Sequence, residues 1–303
     1  MAHVADPSRP AIDRRRFLAR SAAGGAVAGA AWVTPSVLTL DRAGAVGTCP
    51  SSLTFPWSTG GGCTVHTAST NPLVGNVGGP TGVDIRITAT SSTGFDATAQ
   101  DNFRTRSGAG DSCGTGPCGS GTPWAPRGNQ SSFYALTMGP GNPFTCSGTG
   151  SAGRYAEVTF GFFAPGTTTP INVQNLSFTL LDVDTNGTGY LDRVYVGING
   201  AVMQSGAATT GAGNDFTFTL GGGNVVQAIT GRAVFQGTGS ATATSPSANV
   251  TLTSRAGLNI SSVTVRFRDQ LGNATGDINS AGTTLPSTIQ WVGIGDLTFC
   301  KAP

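Results

Sequence analysis

Charge is scarce in this sequence of 303 residues: Asp, Glu, Lys and Arg make up 11% of it, with one Lys (Lys301), one Glu (Glu157) and two His (His3 and His66). So few histidines weigh against metal-dependent hydrolysis or oxidation, which lean on imidazole ligands. A glycosidase needs two carboxylates about 5 to 10 Å apart. Glu157 would have to find an Asp partner, and its place in an alternating segment predicts a solvated side chain instead. Helical periodicity is missing as well: beyond residue 45 no segment sustains a 3.6-residue apolar repeat. With so little charge, surface polarity has to come from Thr, Ser, Asn and Gly.

The first 45 residues read as an export leader. Asp13-Arg14-Arg15-Arg16-Phe17-Leu18 matches the twin-arginine signal, a modestly apolar stretch runs from Ala19 to Leu40, and Ala43-Gly44-Ala45 is a small-x-small peptidase site. An uncleaved anchor is the other reading, but a spanning helix needs about 20 strongly apolar residues, and this stretch is mostly Ala and Gly and contains Pro35. The expectation is a cleaved leader (residues 1–45), a protein that folds before export, and a secreted or cell-wall-associated product with no membrane span.

Cleavage would change the electrostatics. Six of the 17 basic residues and three of the 15 acids lie in the leader, leaving 11 positive and 12 negative charges, a net of −1. The basic character belongs to the leader, so nucleic-acid binding is not expected. No ligand set for an organic cofactor is present.

All six cysteines (Cys49, Cys63, Cys113, Cys118, Cys146, Cys300) follow the leader. In an exported chain an even count predicts disulfides. Cys113 and Cys118 flank a Gly-Thr-Gly-Pro turn and are placed to pair locally, while a Cys49–Cys300 bridge would staple the two terminal strands. Fifteen connectivities are open to six cysteines.

Alternation with period two pervades the rest, in segments rich in β-branched and aromatic residues. Strands are predicted at Val83–Ile87, Phe133–Met138, Tyr155–Phe160, Leu176–Leu180, Arg193–Val196, Phe216–Leu220, Val250–Leu252, Val263–Phe267 and Ile289–Phe299, separated by Gly, Asn and Pro turns. One polar and one apolar face per strand predicts two antiparallel sheets. The expected fold is therefore all-β: a single antiparallel, jelly-roll-like β-sandwich over residues 46–303 with long disulfide-pinned loops. Residues 93–153 are Gly/Ser/Pro-rich, contain half the cysteines and show one clear strand, so they read as a loop-rich insertion.

The run Asp182-Val183-Asp184-Thr185-Asn186-Gly187 places side-chain oxygens at its first, third and fifth positions with Gly sixth, like the front of a calcium loop. Gly189 and Arg193 then occupy the eighth and twelfth positions, and the flanks are strands, which rules out an EF-hand. Two readings stay open. One is a strand-to-strand structural calcium site using Asp182, Asp184, Asn186 and Asp192. The other is a turn whose Asx side chains bond their own backbone, with Asp184 or Asp192 paired to Arg193.

The block Arg154–Gly200, with FTLLDVD and GYLDRVYV, resembles uncharacterised secreted bacterial β-sandwich proteins in which one strand ends in Asp-x-Asp and the next opens with Asp, then Arg or Gln, then Val. The closing WVGIGDLTFC is similar to the last strand of many jelly-roll and carbohydrate-binding modules. That resemblance implies a structural-ion role for Asp296.

Gly110-Asp111-Ser112-Cys113-Gly114 has the G-x-S-x-G pattern and is one residue from the Gly-Asp-Ser-Gly-Gly of chymotrypsin-like proteases. His66, one of Asp84, Asp96 or Asp101, and Ser112 would complete a triad. Only 45 residues lie between His66 and Ser112, too few for a barrel and most of a second. A hydrolase elbow also needs a strand before it and a helix after it, and a Gly-rich cysteine loop is neither. For ligand contact, Trp57, Trp124, Trp291 and Tyr134 are a candidate stacking platform, although Trp57 and Trp291 also read as core. Trp124, near Arg127 and Asn129 in a Pro/Gly loop, is the best exposed candidate. Arg266 and Arg268 share one face of their strand and are either solvated or line a sheet that takes acidic glycans. The leading expectation is a non-catalytic secreted module, adhesive or glycan-binding and stabilised by calcium. A secreted polysaccharide or ester hydrolase and a structural cell-envelope protein are the alternatives.

Overall fold

The computed structural model describes residues 49, 51–57, 70–91, 103–107, 132–138, 155–200, 215–228, 233–242, 245–269 and 290–302. They belong to one compact unit, Gly44–Pro303. The leader falls outside the described residues.

Fifteen strands form among the described residues: β1 (Leu53–Phe55), β2 (Leu73–Val77), β3 (Val83–Ser91), β4 (Phe103–Ser107), β5 (Ser132–Met138), β6 (Tyr155–Phe163), β7 (Val173–Leu181), β8 (Asp192–Ile198), β9 (Phe216–Leu220), β10 (Val225–Gln227), β11 (Val234–Gly237), β12 (Val250–Ser254), β13 (Ser262–Asp269), β14 (Gln290–Ile294) and β15 (Leu297–Lys301). The helical elements among the described residues are short 3-10 turns, at Gly79–Thr81 and Pro246–Ala248.

All pairings are antiparallel and make two sheets, so the fold is the expected β-sandwich. The seven-stranded sheet runs β10-β11-β8-β13-β6-β3-β2. In the eight-stranded sheet β7 is central, with β12 and then β9 on one side. On its other side β14 and β15 lie in tandem, β14 continuing to β5 and β4, and β15 to β1. The chain changes sheet at most connections, as in a jelly roll.

Two expectations need correction. The last strand, read as continuous from Ile289 to Phe299, breaks at Gly295–Asp296: both halves pair with β7, but on the far side β14 pairs with β5 and β15 with β1. The 93–153 stretch holds a second strand, β4, whose Phe-Arg-Thr-Arg-Ser sequence looks too polar for a strand until β5 pairs with it.

The core explains the alternation. On β6 Ala156, Val158, Phe160 and Phe162 are sealed, as are Val263, Val265 and Phe267 on β13, and Leu176, Phe178 and Leu180 on β7. Rings stitch the two layers together: Phe160 lies 5.4 Å from Trp57 and 6.1 Å from Tyr134, Phe162 lies 5.2 Å from Phe299, and Phe218 lies 5.2 Å from Phe235. A disulfide joins Cys49 to Cys300 with Cα atoms 5.6 Å apart, as the terminal-staple reading expects. It ties Cys49, shortly before three-residue β1, to β15, the strand with which β1 pairs. Cys63, Cys113, Cys118 and Cys146 lie outside the described residues, and so does any pairing among them.

Across β1, β15, β7, β12 and β9 the outer face of the eight-stranded sheet is kept polar by hydroxyl groups. Register aligns Thr54, Thr298, Ser177, Thr253 and Thr217 across five strands, and Thr179, Thr251 and Thr219 across three. Ser177 and Thr253 hydroxyls bond at 3.1 Å, and Thr179 and Thr251 at 3.0 Å. Such cross-strand hydroxyl pairs each contribute about 0.2–1 kcal/mol, so Thr both fits the pleat and laces neighbouring strands together.

Candidate functional site

The opposite sheet carries the charge. Because facing residues of antiparallel strands share a face, register fixes two rows on its outer side. One runs Val234, Tyr195, Arg266, Glu157, Thr90 across β11, β8, β13, β6 and β3. The next runs Gln236, Arg193, Arg268, Tyr155. Together they form a belt in which three guanidinium groups accompany one carboxylate among the described residues.

Contacts within the belt fix the side chains. Arg266 Nε donates to Glu157 Oε2 at 2.6 Å, and its guanidinium carbon sits 4.3 Å from the centre of the Tyr155 ring. Arg268 lies 5.7 Å from the same ring. Arg193 Nε donates to Gln236 Oε1 at 2.9 Å, and its Nη2 reaches the same oxygen. Burial, and then the charge of Arg266, hold the Arg268 guanidinium below its ordinary value. Arg193 and Tyr195 are buried, whereas Tyr155, Glu157, Arg266 and Arg268 are half-buried beside exposed Thr88 and Thr90. The belt thus has a closed end at Arg193 and Tyr195 and an accessible end that is only partly open, the Arg266 and Glu157 side chains each being 13% exposed.

Three expectations change here. Arg266 and Arg268 are neither freely solvated nor isolated, since Tyr155 and Glu157 clasp them. Glu157 is not a solvated residue: it is ion-paired and half-buried. Arg193 is turned to the outer face by the period-two register, toward Gln236, while Asp192 turns the other way. Sequence reasoning missed Arg193, Tyr155 and Tyr195 as belt members. Their outward phase was readable, but their juxtaposition is set by pairing of strands far apart in the chain.

The acidic loop closes around a phenol. Tyr190 Oη donates to Asp184 Oδ1 at 2.8 Å, Ala241 N–H donates to Asp184 Oδ2 at 2.9 Å, and Asp184 N–H donates to Asp192 Oδ2 at 3.4 Å. Asn186 Oδ1 accepts from the backbone N–H groups of Thr188, Gly189 and Tyr190 at 3.2, 2.5 and 3.0 Å, which is the Asx-turn arrangement. Asp182 sits at φ 64° with its own N–H directed at Asn249 Oδ1 (3.4 Å). Asp296 accepts from the Trp57 backbone N–H at 3.3 Å. Among the described residues no group of three or more His, Cys, Asp or Glu is arranged to hold a metal.

Burial first, then the bond to Asp184 and the charges of Asp184, Asp192 and Asp182, push the Tyr190 phenol far above its ordinary value. The unfolded chain ionises its tyrosines near pH 10, so above that pH the unfolded state has lost a proton that the folded state still holds. Stability is therefore complete below about pH 10 and falls as pH rises beyond it. Urea midpoints measured from neutral pH upward should decline past that point, and Tyr190→Phe should decline less steeply. Equal slopes would contradict this placement of Tyr190.

Three of the four rings of the expected aromatic platform are not on the surface. Trp57 is 3% exposed and donates its indole N–H to Gly295 O at 2.9 Å, Tyr134 is fully buried, and Trp291 stacks on Phe133 with ring centres 5.6 Å apart. All three belong to the interior, where large rings bury the most apolar area. Trp124, Arg127, Ser112 and His66 lie outside the described residues. Comparison with known proteins finds no matching family model, no matching curated protein and no matching solved structure.

Proposed function

We propose that the chain is an exported, non-catalytic β-sandwich module that binds an anionic polysaccharide outside the cell, at the accessible end of the Arg–Tyr belt. The observation behind this reading is that Arg266 and Arg268 project side by side from β13 over the ring of Tyr155. Guanidinium groups meet carboxylate or sulfate bidentately, and an aromatic ring adds cation–π support and a surface for sugar rings. Glu157 acts as a positioning residue that fixes the Arg266 fork. Holding the arginines in advance lowers the ordering cost that a floppy basic patch would incur on binding.

A glycan array probed with the full chain at low and high salt tests the ligand class. Uronate-rich and sulfated polymers should be retained at low salt and released as salt rises. Preference for neutral glycans would overturn the reading.

The hydrolase alternative has less support. Among the described residues the carboxylates that cluster, Asp182, Asp184 and Asp192, are 9%, 4% and 1% exposed, which weighs against a polymer reaching them. For the acidic loop we adopt the hydrogen-bonded turn, because the Asn186 oxygen is already spent on three backbone N–H groups. A melting midpoint unchanged by a chelator is the expected result. A fall on chelation, restored by calcium, would instead make Asp182, Asp184 and Asp192 the ion's ligands.

A further inference from the structure

The sandwich has five edge strands among the described residues, and four of them are guarded. β1 and β10 have three residues each, β4 carries Arg104 and Arg106, and β9 opens beside Asp215, whose carboxylate pairs with Arg255 at 3.5 Å. Shortness and charge are how natural sheets prevent edge-to-edge pairing. β2 uses neither device. Its Leu-Val-Gly-Asn-Val sequence has no charge, and its register with β3 runs from Leu73 to Val77 without a bulge. Val74 is 60% exposed, more than any other large apolar side chain described.

β2 is also held in place. Asn71 exchanges hydrogen bonds with the backbone of Ala89 (2.9 and 3.1 Å), and Asn76 Nδ2 donates to Asp84 Oδ1 at 2.7 Å. The Phe55 ring lies against Gly75 so closely that a Cβ there would come within 2.4 Å of it. Leu73 and Val77 are half-buried on this inner side and pack against the core. The edge is therefore a fixed row of outward backbone donors and acceptors with a partly covered apolar rim beneath it.

We propose that β2 is a self-association edge that pairs antiparallel with β2 of a second copy of this chain, joining two seven-stranded sheets into one. A two-fold axis at Gly75 sets Leu73 opposite Val77 of the second copy, and Val74 opposite Asn76. The inner apolar rims then meet and continue the core, and the exposed Val74 is covered. No side chain stands on the axis, and no like charges oppose one another. The strand is thus complementary to itself, as an isologous interface requires, and backbone pairing at an edge that has no partner strand among the described residues supplies the affinity.

Size-exclusion chromatography with light scattering on the full chain, over a range of concentrations, tests this together with amide hydrogen exchange. The measured mass should rise toward twice the chain mass as concentration increases, with β2 amides gaining protection in step. Val74→Lys, a change at an exposed side chain, should leave the melting midpoint unchanged and keep the mass at one chain. A monomer at every concentration overturns the proposal. So does a dimer that persists in Val74→Lys, or β2 protection that does not change with concentration.

Discussion

Phe160→Ala lowers unfolding stability by about 3–5 kcal/mol. Phe160 is fully buried on β6 and touches the Trp57 and Tyr134 rings of the facing layer. Truncation removes the transfer energy of the ring and leaves a cavity between two sheets whose backbones are fixed by strand pairing on either side. Each aromatic contact also contributes about 0.5–1.5 kcal/mol beyond buried area. Total stabilities of domains are about 5–15 kcal/mol, so this change takes a large share. A urea titration should show a lower midpoint at nearly unchanged slope. A loss below about 1.5 kcal/mol would mean that the site collapses freely, contrary to the packing described.

Removing the Cys49–Cys300 bridge has a comparable cost. The two cysteines are 251 residues apart in sequence, and loop-closure entropy for so long a loop corresponds to roughly 5 kcal/mol. The double change Cys49→Ser and Cys300→Ser should lower stability by about 2–5 kcal/mol. Amides of β1 should lose exchange protection first, because a strand of three residues has little else to anchor it. The Trp57 indole bond to Gly295 links that end to the core, so its fluorescence should report the loosening. Stability within about 1 kcal/mol of wild type would show that β1 is held by its neighbours alone.

Eight strands were legible one for one because their apolar residues alternate, as in Tyr155–Phe163 and Phe216–Leu220, while a ninth segment merged β14 with β15. β2 was not, because Gly75 and Asn76 interrupt its apolar pattern, and Gly75 is there for the Phe55 ring rather than for strand propensity. β10 and β11 have three and four residues, too short for a period to register. At the candidate site, the shared face of Arg266 and Arg268 could be read from two-residue spacing. Their contacts with Glu157 and Tyr155 could not, since they span more than 100 residues and depend on which strand pairs with β13. The Asx turn at Asn186 was one of two open readings; its three backbone donors favour it, and the chelator melt is what decides between them.

The most direct test of the proposed binding role is affinity for a uronate-rich polysaccharide, measured by titration calorimetry at low salt. Arg268→Gln, and Arg266→Gln combined with Glu157→Gln so that no charge is stranded, should each leave the melting midpoint close to wild type. Charge-assisted hydrogen bonds are worth about 1.5–3 kcal/mol, so each variant should weaken binding by at least about tenfold. Affinity equal to wild type in both variants would contradict a binding role for the Arg–Tyr belt.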